Sequence, residues 1–215
     1  MKRHLIGLAA LGGWAGLALQ QYIIFYFRWV DGASLLPGVV NFFSFFTVLT
    51  NTLVAVVLTH AWVQRPSAAS RFFLGPVVSS GIAVSIVVVS LAYSLLLRHL
   101  WAPAGVQFVA DELLHDVMPL VFVAYWWWCV PKGSLRLKHI GLWVIYPVVY
   151  FAYALLRGYV WGLYQYPFID VDKLGYPQVF INAGGILAGF VLVALAVVGL
   201  DKLCRSELAR EKRQR

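Results

Sequence analysis

The chain has 215 residues, 61% of them hydrophobic and 12% charged, with a formal net charge of +8 and a mean hydropathy of +0.79. Soluble domains carry about 25% charged residues, so an ordinary soluble fold is excluded. The positive charge lies at the ends of apolar runs rather than in one patch, which argues for a membrane and against nucleic acid as its partner.

A bilayer-spanning helix needs about 18 or more consecutive apolar residues. Six runs meet that need, at 5–27, 40–63, 73–97, 108–130, 140–161 and 178–200. They are continuous rather than alternating, which argues against a β-barrel. The expected fold is therefore all-α: a polytopic membrane protein with six transmembrane helices in a single bundle. The expected division is a membrane domain over 1–203 and a basic cytoplasmic tail over 204–215. The first run follows Lys2 and Arg3 and continues through YIIFYF at 22–27, longer than the apolar part of a signal peptide.

The second run carries Asn41, Ser44, Thr47, Thr50, Asn51 and Thr52. At 100° per residue, Ser44, Thr47 and Asn51 share an arc of about 60°. Thr47 is expected about 10 Å below the outer interface. The third run has no charge before Arg98. The fourth carries Asp111, Glu112, His115 and Asp116, followed by Pro119. An ionisable group at this depth has no water to solvate it and marks a functional site by default. Asp111 and Glu112 stand four and three residues before His115, close enough on a helix to orient its ring. Asp116 points about 100° away from His115 and is expected to pair with Arg157.

The fifth run places Tyr146, Tyr150, Tyr153 and Arg157 on one stripe, which reads as aromatic packing or as the lining of a pocket. The loop LYQYPFIDVDKLGYP at 163–177 is long enough to act as a lid. Asn182 lies one turn into the sixth run. Of the 17 basic residues, 13 fall at the N-terminus, in the second and fourth loops, and in the tail. That asymmetry predicts cytoplasmic termini, N-in and C-in, in a bacterial inner membrane. Cys129 and Cys204 both fall near the cytoplasmic face and form no C-x-x-C pair. Neither a metal nor another cofactor is expected.

A Thr hydroxyl becomes a nucleophile when a base removes its proton. His115 is the candidate base and Thr47 the candidate nucleophile, with Thr50 as the alternative. Asn51 or Asn182 is the candidate donor to an oxyanion. A site open to the outer leaflet would meet membrane lipids and lipid esters. Neither G-x-S-x-G nor H-E-x-x-H occurs in the chain. Two other readings remain. In a proton-coupled transporter, His115, Asp116 and Arg157 would form a relay. In a non-catalytic lipid-binding scaffold, they would be structural. Substrate and oligomeric state stay open.

The stretches NFFSFFTVLTNTLV, ELLHDVMPL, YPVVYFAYALLRG and YPFIDV resemble bacterial relatives of the androgen-induced-gene membrane proteins. The resemblance runs from the second helix to the sixth. It implies a six-helix hydrolase of fatty-acid esters of hydroxy fatty acids. On that match Phe46-Thr47 corresponds to the nucleophile motif and His115 to the catalytic base. The chain departs from the pattern where Asp116 follows His115 and where Pro119 stands four residues on; the animal proteins have hydroxyl residues and a longer gap there.

Overall fold

Backbone polar groups that meet no water must bond to one another, and in an apolar chain the helix does so within one segment. The computed structural model describes the backbone of residues 3–214 and the side chains of 3–204. Among the described residues every regular element is helical. The basic tail expected over 204–215 lies, beyond Cys204, outside the described side chains.

Among the described residues nine α-helices follow in chain order: α1 Arg3–Val30, α2 Leu36–Phe42, α3 Phe46–Val63, α4 Ala68–Phe73, α5 Pro76–Ala92, α6 Gly105–Glu112, α7 Met118–Cys129, α8 Lys138–Trp161 and α9 Val171–Gln214. Among the described residues five helices are long and apolar enough to cross a membrane: Arg3–Val30, Phe46–Val63, Pro76–Leu100, Lys138–Trp161 and Val171–Cys204. The remaining expected span, 108–130, is helical but interrupted. A π-helical turn, Leu113–Val117, separates α6 from α7. A second π turn, Tyr93–Leu97, follows α5. Each inserts an extra residue into the helical repeat, a feature frequent at functional sites.

The expected second span, 40–63, is also interrupted. Phe45 adopts extended backbone (φ −90°, ψ 131°) between α2 and α3. No Pro or Gly stands at the break. The Ser44 hydroxyl donates to the Val40 carbonyl at 2.6 Å, a back-bond of the kind that bends helices. The consequence is a fresh helix N-terminus one residue before Thr47.

The chain divides into two compact units, Met1–Pro131 and Lys132–Arg215. In the first, α1, α2, α3 and the Leu113–Val117 turn meet in an apolar cluster of Leu17, Phe42, Val48, Ala55 and Leu114. Gly16 lets α1 approach closely: a Cβ there would lie 3.3 Å from Leu114 Cδ2 and 3.4 Å from Leu113 Cβ. Small residues at such contacts bring membrane helices together.

In the second unit α8 packs on the start of α9 and on the turn Pro167–Ile169, around Ala154, Ile169 and Val179. Gly175 takes a left-handed φ of 72° and kinks α9 near its start, a conformation open to glycine at little cost. Asp201, 1% exposed, accepts from the backbone N–H groups of Gly133 and Leu135 at 2.8 and 2.9 Å. It thereby holds the loop before α8.

Candidate functional site

The two interruptions in the first unit bring together residues 68 apart in sequence. The Thr47 hydroxyl oxygen lies 3.4 Å from His115 Nε2, at the outer edge of hydrogen-bond distance. The other ring nitrogen, Nδ1, lies 3.0 Å from the Asp111 carbonyl oxygen and 3.2 Å from Asp111 Oδ1. Both neighbours accept and neither donates. In a neutral imidazole the proton must therefore sit on Nδ1, leaving Nε2 as a bare lone pair facing the Thr47 hydroxyl.

Burial makes these contacts consequential. Thr47 is 8% exposed and Asp111 2%, and the His115 side chain is 15% exposed. A buried carboxylate must be paired and hydrogen-bonded to be tolerated. Asp111 receives His115 on one oxygen and the Tyr93 hydroxyl on the other. The Tyr93 ring also stacks on the imidazole, with centroids 3.9 Å apart and planes 19° from parallel.

Asn51 is fully buried and ties the site together. Its amide nitrogen donates to the Thr47 carbonyl at 2.9 Å and to the Leu114 carbonyl at 3.0 Å. Both N–H groups are thus spent on backbone, and Oδ1 is left without a bond. This corrects the expectation that Asn51 donates to an oxyanion. Its amide is a tie between α3 and the Leu113–Val117 turn. Thr50 is fully buried, and the hydroxyl that the imidazole faces belongs to Thr47.

Asp116 forms an ion pair with Arg98, not with the expected Arg157. Arg98 also reaches Glu112 at 3.2 Å and lies over the Tyr93 ring, 4.9 Å from its centroid. The 3₁₀ turn Arg98–Leu100, between α5 and α6, presents this cation to the fourth run's acids. A signal was present in the sequence: three acids in 111–116, with Arg98 the nearest preceding cation. Tyr93 carried none, since one Tyr in an apolar run reads as packing.

The other candidates lie in the second unit. Arg157 is 6% exposed; it donates to the Leu163 carbonyl at 3.0 Å and lies over the Trp161 ring. The Gln165 amide, turned so that its oxygen faces the guanidinium, accepts from the same side chain. Asn182 donates to the Phe168 carbonyl at 2.9 Å and accepts from Gln178. Both residues therefore brace the 163–170 loop. Lys173 beside Asp170 holds that carboxyl below the usual carboxylate range. Tyr150 packs with Tyr153 and Tyr166, Tyr146 is half-buried and Tyr153 exposed.

Among the described residues no group of three or more His, Cys, Asp and Glu side chains is placed to hold a metal ion. A cavity of about 450 Å³ lies at the far end of α3, between Ile6, Ala61, Arg65, Tyr125 and Cys129, remote from Thr47. No family model, no curated protein and no solved structure matches this chain.

Proposed function

We propose that this is an integral membrane hydrolase of lipid esters, with Thr47 as nucleophile, His115 as general base and Asp111 as the group that orients the base. The observation that carries the reading is the line Thr47 Oγ1, His115 Nε2, His115 Nδ1, Asp111 Oδ1, with contacts of 3.4 and 3.2 Å. It is the order of parts that activates a hydroxyl in nucleophilic hydrolases on unrelated folds. The resemblance of NFFSFFTVLTNTLV and ELLHDVMPL to the androgen-induced-gene proteins supports the same assignment.

The chemistry follows from the geometry. His115 Nε2 takes the proton as Thr47 Oγ attacks the ester carbonyl. The carbonyl oxygen becomes an oxyanion, and Asp111 stabilises the imidazolium. The tetrahedral intermediate collapses, its C–O bond to the alcohol breaks, and His115 returns the proton to the departing alkoxide. Water, deprotonated by the same nitrogen, then hydrolyses the acyl-threonine. Asn51 has no N–H left for the oxyanion. The first-turn N–H groups of Thr47 and Val48, which have no acceptor within α3, take that role at the positive end of the helix dipole. The break at Phe45 exists in this reading to supply that helix start.

The chain crosses the membrane six times in this account, with 105–129 as the fourth crossing and both termini cytoplasmic. The asymmetric basic residues support that topology, and the composition suits a bacterial inner membrane. Lipids are its surroundings and a lipid ester its substrate.

A fluorophosphonate probe tests the reaction. A reactive hydroxyl displaces fluoride and becomes phosphonylated. Labelling of the purified protein in detergent is expected in the wild type and in Thr50→Ala. Thr47→Ala and His115→Ala are expected to lower the rate by about 10³-fold or more. A folded wild type that takes no label, yet moves protons or solutes across liposomes, would replace the hydrolase with a transporter. Absence of both would leave a lipid-binding scaffold.

A further inference from the structure

The Thr47–His115–Asp111 line accounts for one oxygen of Asp111 and for no feature of Tyr93. Yet Tyr93 touches two of the three groups at once. Its hydroxyl donates to Asp111 Oδ2, and its ring lies flat on the imidazole at 3.9 Å between centroids. It is 4% exposed. It begins one π turn, while His115 lies in the other.

We infer that Tyr93 is a positioning residue for the base, an inference that rests on reading His115 as that base. Two separate effects are at work. The hydroxyl proton has a carboxylate as its acceptor, so Tyr93 fixes the carboxylate plane and leaves Oδ1 for His115 Nδ1. That contact in turn holds the Nδ1–H tautomer, as hydrogen-bond partners of functional histidines do. The stacked ring restricts rotation of the imidazole about its Cβ–Cγ bond, which keeps Nε2 aimed at Thr47. Arg98, 4.9 Å from the same ring centroid, adds a cation–π contact that holds the Tyr93 ring in place. With the hydroxyl removed, a 2% exposed carboxylate would lose its second donor and be free to turn.

The test separates position from reaction. The protein is labelled with ¹⁵N-histidine, and the His115 resonances are assigned by their loss in His115→Gln. The wild type is expected to show one tautomer, with the proton on Nδ1 and slow exchange with water. Tyr93→Phe keeps the stack and removes only the hydroxyl; it is expected to give mixed tautomers and a fluorophosphonate labelling rate lower by about tenfold. Tyr93→Leu removes the stack as well and is expected to lower the rate further.

A single Nδ1–H tautomer in Tyr93→Phe, with labelling within about twofold of wild type, would overturn the inference. So would rapid water exchange of the His115 Nδ1 proton in the wild type, a measurement that needs no Tyr93 variant. A wild type that takes no label but loses its tautomer preference in Tyr93→Phe would sink the hydrolase reading while leaving the positioning role standing.

Discussion

At the scale of single residues, the site depends on which atoms already have partners. Asn51 is the clearest case. Its position on the Thr47 face was legible from helical spacing, but its role was not. Only the two carbonyls at 2.9 and 3.0 Å show that its N–H groups are used. Asp111 and Glu112, four and three residues before His115, were both placed to orient its ring. The structure gives Nδ1 to Asp111 and Glu112 to Arg98. Asp111→Asn is therefore the sharper substitution. An amide can present its N–H to Nδ1 and favour the wrong tautomer, as replacement of the triad carboxylate does in serine proteases. We expect a fall of about 10³–10⁴-fold in labelling rate with the fold intact, measured beside the unfolding midpoint. Glu112→Gln is expected to change the rate little, because its ion pair is exposed.

At the scale of elements, the pattern of apolar runs located the helices well and their interruptions poorly. The runs at 40–63 and 108–130 read as unbroken spans because hydropathy registers composition, not hydrogen-bond register. The break at Phe45 arises at no Pro or Gly. Pro119 marked a disturbance in the fourth run but not its form, a π turn that ends two residues earlier. These irregularities set the site: one frees the helix start at Thr47, and the other carries His115. Asn51 joins them, so its loss should be felt as stability as well as reactivity. Asn51→Ala leaves the Leu114 carbonyl without its side-chain donor, at a cost of about 1–3 kcal/mol. Thermal unfolding in detergent should show a lowered midpoint, and the labelling rate should fall with it. An unchanged midpoint would mean that the tie contributes nothing to the fold.

At the scale of the whole molecule, composition alone excluded a soluble domain, and the described residues are helical with no strand. Five helices among the described residues satisfy the length and polarity needed to cross a membrane. The run at 108–130 does not meet the same criterion, because the π turn divides it into pieces of 8, 5 and 12 residues. The buried carboxylate Asp201 went unread because it stands one residue beyond the apolar run, where a charge is expected to be solvated. Six crossings place both termini on one side; five would separate them. A fluorescent-protein fusion at the C-terminus should glow and an alkaline phosphatase fusion there should stay inactive. The same pair of fusions at the N-terminus should behave alike. Active phosphatase at one end only would reduce the crossings to an odd number.

The central claim is that one hydroxyl, that of Thr47, is made nucleophilic by the histidine facing it. The most direct test is to locate the covalent adduct. Wild-type protein treated with a fluorophosphonate would be digested and the phosphonylated peptide sequenced by tandem mass spectrometry. The added mass is expected on Thr47 and is expected to disappear in His115→Ala. An adduct on Thr50, on a serine or on a tyrosine, or one that survives His115→Ala, would contradict it.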